Sequence, residues 1–238
     1  MSMDAGASSA RRDAAAGRAR DSPRRAAGRP PQAVLSKAQI TRAALKLIEA
    51  DGYKGLTMSA LAKRLGVAPS ALYNHVAAKQ DVLVLLEDHL MAMVDVSGFD
   101  GGQWEPGVRR WAWSYRDVFA RHTPLIPVIA VLPVTNAPQT VAMYEAVTAG
   151  FLADGWPRDR IVDAIVALES FIFGSAFDVI APPDIFETGG LAASAPEFSA
   201  AVADRWGEGE TSRSDSAFGI GLDALISGLS ARRASGGF

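Results

Sequence analysis

The chain has 238 residues and no cysteine, and 24 Lys and Arg against 26 Asp and Glu leave a net charge of −2. Such a length buries a sizeable core without staples, as one domain or two, while the missing cysteine excludes disulfides, thiolate metal sites and a cysteine nucleophile. No apolar run is long enough to cross a bilayer or to form a signal-peptide core, so no membrane partner is expected and the cytoplasm is the expected location, with the nucleoid when bound to DNA.

The near-neutral balance hides a split. Residues 1–80 carry 14 basic and 5 acidic side chains, whereas residues 81–238 carry 10 and 21. A basic N-terminal portion on an acidic body suits a molecule of which one end meets a polyanion.

In chain order, residues 1–33 are rich in Ala, Gly, Arg, Ser and Pro and lack an apolar period, so a disordered Arg-rich arm is expected. Its seven arginines suit phosphate contact or minor-groove entry, and they equally suit a solvated tail. A first helix is expected from Ser36 as N-cap to about Asp51, with Ile40, Ala44, Leu47 and Ile48 as its buried stripe and Gly52 as its stop. Thr57 then stands as an N-cap before Leu61, Ala62 and Leu65, and Gly66 ends that helix. Pro69 opens the next, whose apolar face is Leu72, Val76 and part of Tyr73. Only Gly66, Val67 and Ala68 separate the two helices. A connection that short forces a steep crossing and turns the second helix outward, the arrangement of a helix-turn-helix that lies in the DNA major groove.

A fourth helix from Lys79 to about Val94 carries the seam Leu83, Leu86, Leu90 and Val94 and links this head to the rest. Further helices are expected around Gly107–His122, Pro138–Ala153, from Pro157 to about Ile180 as the longest, around Glu197–Trp206, and Asp215–Arg233; Pro124, Pro127 and Pro133 chop a short irregular piece. No segment alternates with period two, so the fold class is all-α. The organisation expected is an arm at 1–33, a three-helix DNA-binding domain at 34–81 and a helical dimerisation and effector-binding domain at 82–238.

The run from Leu35 to Val67, the run from Ala71 to Leu83 and the GRPP at Gly28–Pro31 together resemble the TetR family of bacterial transcription regulators. FGIGLDALISGL at Phe218–Leu229 resembles the last helix of the subgroup that includes tetracycline repressors, while Val94–Ile180 resembles it in helix lengths and scattered apolar positions. The resemblance implies a homodimer on double-stranded operator DNA, joined through a four-helix bundle of the long and last helices. Gly221 and Gly228 would permit close approach there, with Leu222, Leu225, Ile226 and Leu229 in the contact; packing within one chain is the other reading. The expected DNA-facing set is Thr57, Ser59, Pro69, Ser70, Ala71, Tyr73, Asn74, His75 and Lys79. Ala71 could meet a thymine methyl, and Tyr73, His75 and Lys79 match family positions that touch phosphate. Tyr73 could also be a core aromatic. Ser59 stands where the tetracycline repressors carry a base-reading arginine.

A small, aromatic or lipophilic effector is expected where Trp111, Tyr115, Phe119, Met143, Phe151 and Phe173 converge, each of which could also be plain core. His122 and Asp178 fall near positions that hold the magnesium–drug complex in tetracycline repressors; the other ligands are not evident, and no metal or cofactor is assigned. The function expected is a ligand-responsive regulator, most often a repressor in this family. The alternative is a constitutive DNA-binding or architectural protein. An enzyme is not expected, because the chain holds no nucleophile elbow, no zinc-binding His pair and no phosphate-cradling loop.

Overall fold

The computed structural model describes residues 35–101, 103–205 and 213–236, and the expected arm at 1–33 and Trp206 lie outside them. Helix α1 spans Lys37–Gly55. A reciprocal capping box starts it: Ser36 Oγ accepts from the Gln39 amide at 3.3 Å and Gln39 Oε1 accepts from the Ser36 amide at 2.8 Å. Gly52 breaks the helix at φ 67°, as its position predicts, but one more turn follows and carries Tyr53. Helix α2 spans Met58–Leu65 between Thr57, whose Oγ1 accepts from the Ala60 amide at 3.1 Å, and Gly66 at φ 68°. Helix α3 is only Pro69–Tyr73. It is shorter than expected, since Val76 lies beyond it in a turn that is nonetheless buried. Helix α4 spans Lys79–Met91 and so runs through the 81/82 boundary; it stops short of Val94, which stays in the core.

The remaining elements are α5 (Trp104–Ala120), α6 (Ile126–Ile129), α7 (Pro138–Ala153), α8 (Arg158–Asp178), α9 (Pro196–Asp204) and α10 (Arg213–Ala234), with 3-10 turns at Ser97–Phe99, Thr123–Leu125 and Gly189–Ser194. No strand occurs among the described residues. The longest helix is α10 with 22 residues, not α8 with 21. The chain after α8 meets Pro182 and Pro183, which cannot continue a helix.

Helix α5 is the central element. It packs on α8, α7 and α10, and α4 packs on α7. Arg116 is buried and ties three helices together: Nε donates to Ser175 Oγ at 3.0 Å, one terminal nitrogen to Asp215 at 2.6 Å and the other to Ser214 Oγ at 3.0 Å. Such pairing is what permits a guanidinium inside a helical core. Rim ion pairs Arg109–Asp223 and Arg233–Asp154 add contacts between α10 and the rest of the body.

One sharp packing constraint lies at Phe99. A Cβ on Gly107 would sit 2.5 Å from its ring, and a Cβ on Gly150 only 2.2 Å away. The ring is therefore wedged between α5 and α7 at two points where only hydrogen fits. Replacing Gly150 with Ala should lower stability by about 1–3 kcal/mol through overpacking. Pairing it with Phe99→Leu should recover part of that loss, read as a non-additive double-mutant cycle in thermal unfolding.

Candidate nucleic-acid interface and effector core

The head presents a compact outer face. Thr57, Ser59, Pro69, Ser70, Asn74 and His75 are exposed, and Ala71 is half-buried. Tyr73 is 51% exposed, so it is not a core aromatic; Leu72 and Val76 fill the space behind it. Lys37, Arg42, Lys46, Lys54, Lys63 and Arg64 are exposed on α1 and α2, next to two acids, Glu49 and Asp51. Lys79 differs from the rest. Its ammonium lies 3.8 Å from the Tyr53 ring centroid and donates to the Tyr53 carbonyl at 3.4 Å. That holds the charge at one place, at the junction of α1 and α4. Tyr53 was not singled out from the sequence, although a tyrosine just after the Gly52 break was the available sign.

In the body, five of the aromatic and thioether side chains expected to line a pocket do come together. Trp111 meets Tyr115 with centroids 5.6 Å apart, Tyr115 meets Phe119 at 5.2 Å, and Phe173 meets both at 5.4 and 5.0 Å. Trp111 Nε1 points to the Met143 sulfur at 3.3 Å. Phe151 sits elsewhere, between Trp104 and Trp156 at 5.2 and 5.0 Å. His122 is half-buried after α5, where burial pushes its pKa down. Asp178 is exposed at the end of α8, lining a groove of about 390 Å³ with Phe171 and Phe218. No cluster of three metal-binding side chains occurs among the described residues. A cavity of about 690 Å³ lies between the head and the start of α7, lined by His75, Val76, Asp81, Leu85, Pro138 and Val141 among others.

Behind the aromatic wall is a polar set that the sequence reading missed. Glu169 on α8 accepts from Tyr144 Oη at 2.6 Å and from Tyr115 Oη at 3.1 Å. Burial raises its pKa against the opposing effect of those two bonds, and burial beside that carboxylate raises both tyrosines. Glu87 on α4 is 3% exposed, and its Oε2 has no hydrogen-bond partner. Its pKa is pushed up to about 7 by burial first, then by the charges of Asp88 and Glu169. Thr140 is fully buried with Oγ1 unpartnered. Beside it, Asp88 Oδ1 accepts from the Gln139 and Thr140 amides at 2.6 and 3.1 Å and so caps α7 from α4. The sign in the sequence was available: Glu87 occupies the apolar seam, four residues after Leu83 and three before Leu90.

These features define a helix-turn-helix head carried on an all-α body with a partly polar interior. Residues 40–86 match the family described as bacterial regulatory proteins, tetR family, and residues 99–233 match the tetracyclin repressor-like C-terminal domain. An HTH-type transcriptional regulator of Saccharopolyspora erythraea is 30% identical over 142 residues, 60% of this chain and 60% of that protein's length. The class A tetracycline repressor from transposon 1721 of Escherichia coli is 29% identical over 206 residues, 82% of this chain and 90% of that one. Among solved structures, a TetR variant from Acinetobacter baumannii AYE in complex with minocycline superposes with a TM-score of 0.66 at 27% identity, over 84% of this chain and 95% of that chain. The chain belongs to the TetR family, whose members are DNA-binding transcriptional regulators and not enzymes.

The raised Glu87 pKa makes a pH-dependent stability prediction. The folded state holds this proton more tightly than the unfolded chain, whose value is the ordinary 4.5. Its contribution is therefore present below about pH 4.5 and is lost as pH rises through about 7. Glu87→Gln does not titrate, so it should melt a few degrees above the wild type at pH 8 and level with it at pH 4.5. Scanning calorimetry across that window checks both ends.

Proposed function

We propose that this protein is a homodimeric transcriptional repressor released from its operator by a small effector held in the body. The observation that carries the reading is α4. It leaves the head beside Lys79 and Tyr53, and eight to nine residues later it enters the body, where Asp88 caps α7. A change in the body that moves the start of α7 moves α4, and α4 moves the head. The name of the Escherichia coli relative and the minocycline in the Acinetobacter variant support repression and small-molecule binding.

On this reading residues 34–81 bind DNA and 82–238 dimerise and take the effector. Ser70, Ala71 and Asn74 meet base edges, with Thr57 and Ser59 alongside on α2, while Tyr73, His75 and Lys79 meet phosphate. Trp111, Tyr115, Phe119, Met143 and Phe173 wall the effector. A constitutive DNA binder is the second reading, and it applies if no small molecule releases the DNA.

On this reading the dimer uses a face shifted from the one the sequence indicated. Gly221 is filled from within the chain, since a Cβ there would lie 2.4 Å from Phe171, and Leu222 and Ile226 are buried in the protomer. What remains open is Val162, Val166 and Phe177 on α8 and Ile220, Ala224 and Gly228 on α10, with Ile220 71% exposed. Two such faces meeting across a two-fold axis would make a four-helix bundle.

Two measurements test the reading. Anisotropy titration of the full chain on the DNA flanking its own gene should show two half-sites occupied together, spaced by roughly 34–36 Å. Lys79→Ala should weaken binding to every sequence alike, by about tenfold at low salt, and reduce the salt slope by about one. Unchanged affinity at all salt concentrations would remove Lys79 from the interface. In sedimentation, Gly228→Glu should shift the protein toward monomer, because the carboxylate would be buried unpaired in the bundle. A wild type that sediments as monomer at micromolar concentration would exclude the dimer.

A further inference from the structure

We propose that the effector is an organic cation, an aromatic or lipophilic amine or quaternary nitrogen compound, and that Glu87 and Glu169 receive its charge. The proposal rests on the effector-binding reading above and adds the charge class. Glu87 is buried at an apolar seam position with one carboxylate oxygen unbonded, and the fully buried hydroxyl of Thr140, whose amide bonds to the adjoining Asp88, is unbonded too. Natural interiors rarely leave such atoms unmet without a ligand or function to meet them.

The surroundings specify the sign of the missing charge. The groups that act electrically on Glu87 are Asp88 on its own helix and Glu169 across from it on α8, and both are acids. From α5 and α7 the polar neighbours of this interior are Tyr115, Tyr144 and Thr140, none of them a cation at neutral pH. Arg116, the buried arginine of α5, is committed to Asp215, Ser175 and Ser214. Asp88 is committed to the α7 amides. Two carboxylates thus face one interior, and among the described residues no cation acts on either. Glu169 is kept as an acceptor by two tyrosine hydroxyls, while Glu87 has no such support.

The walls suit the same guest. Trp111, Tyr115 and Phe173 pack edge to face in the buried core, and Tyr144 joins them through its bond to Glu169, which Tyr115 also reaches. A cation against aromatic faces gains electrostatic attraction that grows when water is excluded. A neutral guest would leave Glu87 unpaired, and an anionic guest would add a third negative charge.

Three tricyclic probes of matched shape test this by isothermal titration of the full-length protein without DNA. They are 10-methylacridinium, a permanent cation; 10-methylacridone, which is neutral; and anthracene-9-carboxylate, an anion. The cation should bind at least tenfold more tightly than the neutral probe, and the anion most weakly. Because the cation does not titrate, its affinity should rise with pH up to about 7, as Glu87 ionises, and release a proton below that value. Glu87→Gln should remove the preference and flatten the pH profile, and Glu169→Gln should weaken the cation while leaving 10-methylacridone unchanged. Far-ultraviolet circular dichroism of each variant confirms the fold, and Glu87→Met provides a second uncharged side chain at this position.

Equal or tighter binding of the neutral or anionic probe overturns the charge assignment and leaves the effector reading standing. Cation affinity unchanged in Glu87→Gln and Glu87→Met overturns the role of Glu87. No binding by any probe overturns the cation proposal, while the effector reading falls only if no small molecule releases the DNA.

Discussion

The carboxylate of Asp88 at the start of α7 is the interaction on which the link between head and body depends. Helix α7 opens with Ala137 as its N-cap and Pro138 at its first position, so it has no side-chain cap of its own. Its exposed amides are satisfied from α4, at 2.6 and 3.1 Å, by a charged acceptor that also favours the positive end of the helix dipole. At the other end of α4, Asp81 accepts from the Ala77 and Ala78 amides at 2.7 and 3.2 Å, and Lys79 is fixed on Tyr53. A 13-residue helix held at both ends behaves as a lever rather than a tether. Two hydrogen bonds join it to the start of α7, and on the proposed reading displacements there pass along α4 to the recognition unit.

Phe99 supplies the opposing rigidity. Its ring locks α5 to α7 through Gly107 and Gly150, and Arg116 locks α5 to α8 and α10. The body is therefore braced where α5 meets its neighbours, and the unbonded polar atoms of Glu87 and Thr140 lie on the two helices that Asp88 joins, α4 and α7. On the proposed reading, an effector beside these atoms acts where α4 meets the braced body. Differential affinity for two lever angles is all that allosteric release requires.

The legible parts of this fold are those written in local chemistry. Ser36, Thr57, Gly66 and Pro69 each declare a helix end through a nearby amide or a fixed φ, and the structure keeps every one. The end of α3 was less legible because Asn74 is not a strong stop and Val76 continues the apolar period from a turn. Gly221 shows a different limit. A small residue marks a close approach but not whose side chain makes it, and here Phe171 of the same chain stacks on Phe218 at 5.2 Å and fills the space. Phe151 likewise has the composition of a pocket wall and the location of core, because membership depends on which helix faces it. The polar interior was missed for a related reason. Apolar periodicity lists hydrophobes, and the informative residue here is the acid that interrupts the list, Glu87.

Helix α4 carries three acids within eight positions, and they differ in what the fold asks of them. Asp81 caps its own helix, and Asp88 caps α7. Glu87 does neither, yet it is the most buried of the three and faces a second carboxylate. A fold optimised for stability would place a leucine or methionine at this seam position, since a buried unpaired acid is destabilising and an isosteric apolar side chain is not. Local rules broken without a structural return are expected where a protein does its work. The acid sits one residue from the cap that joins α4 to α7, so on the proposed reading whatever neutralises it acts where the head meets the body.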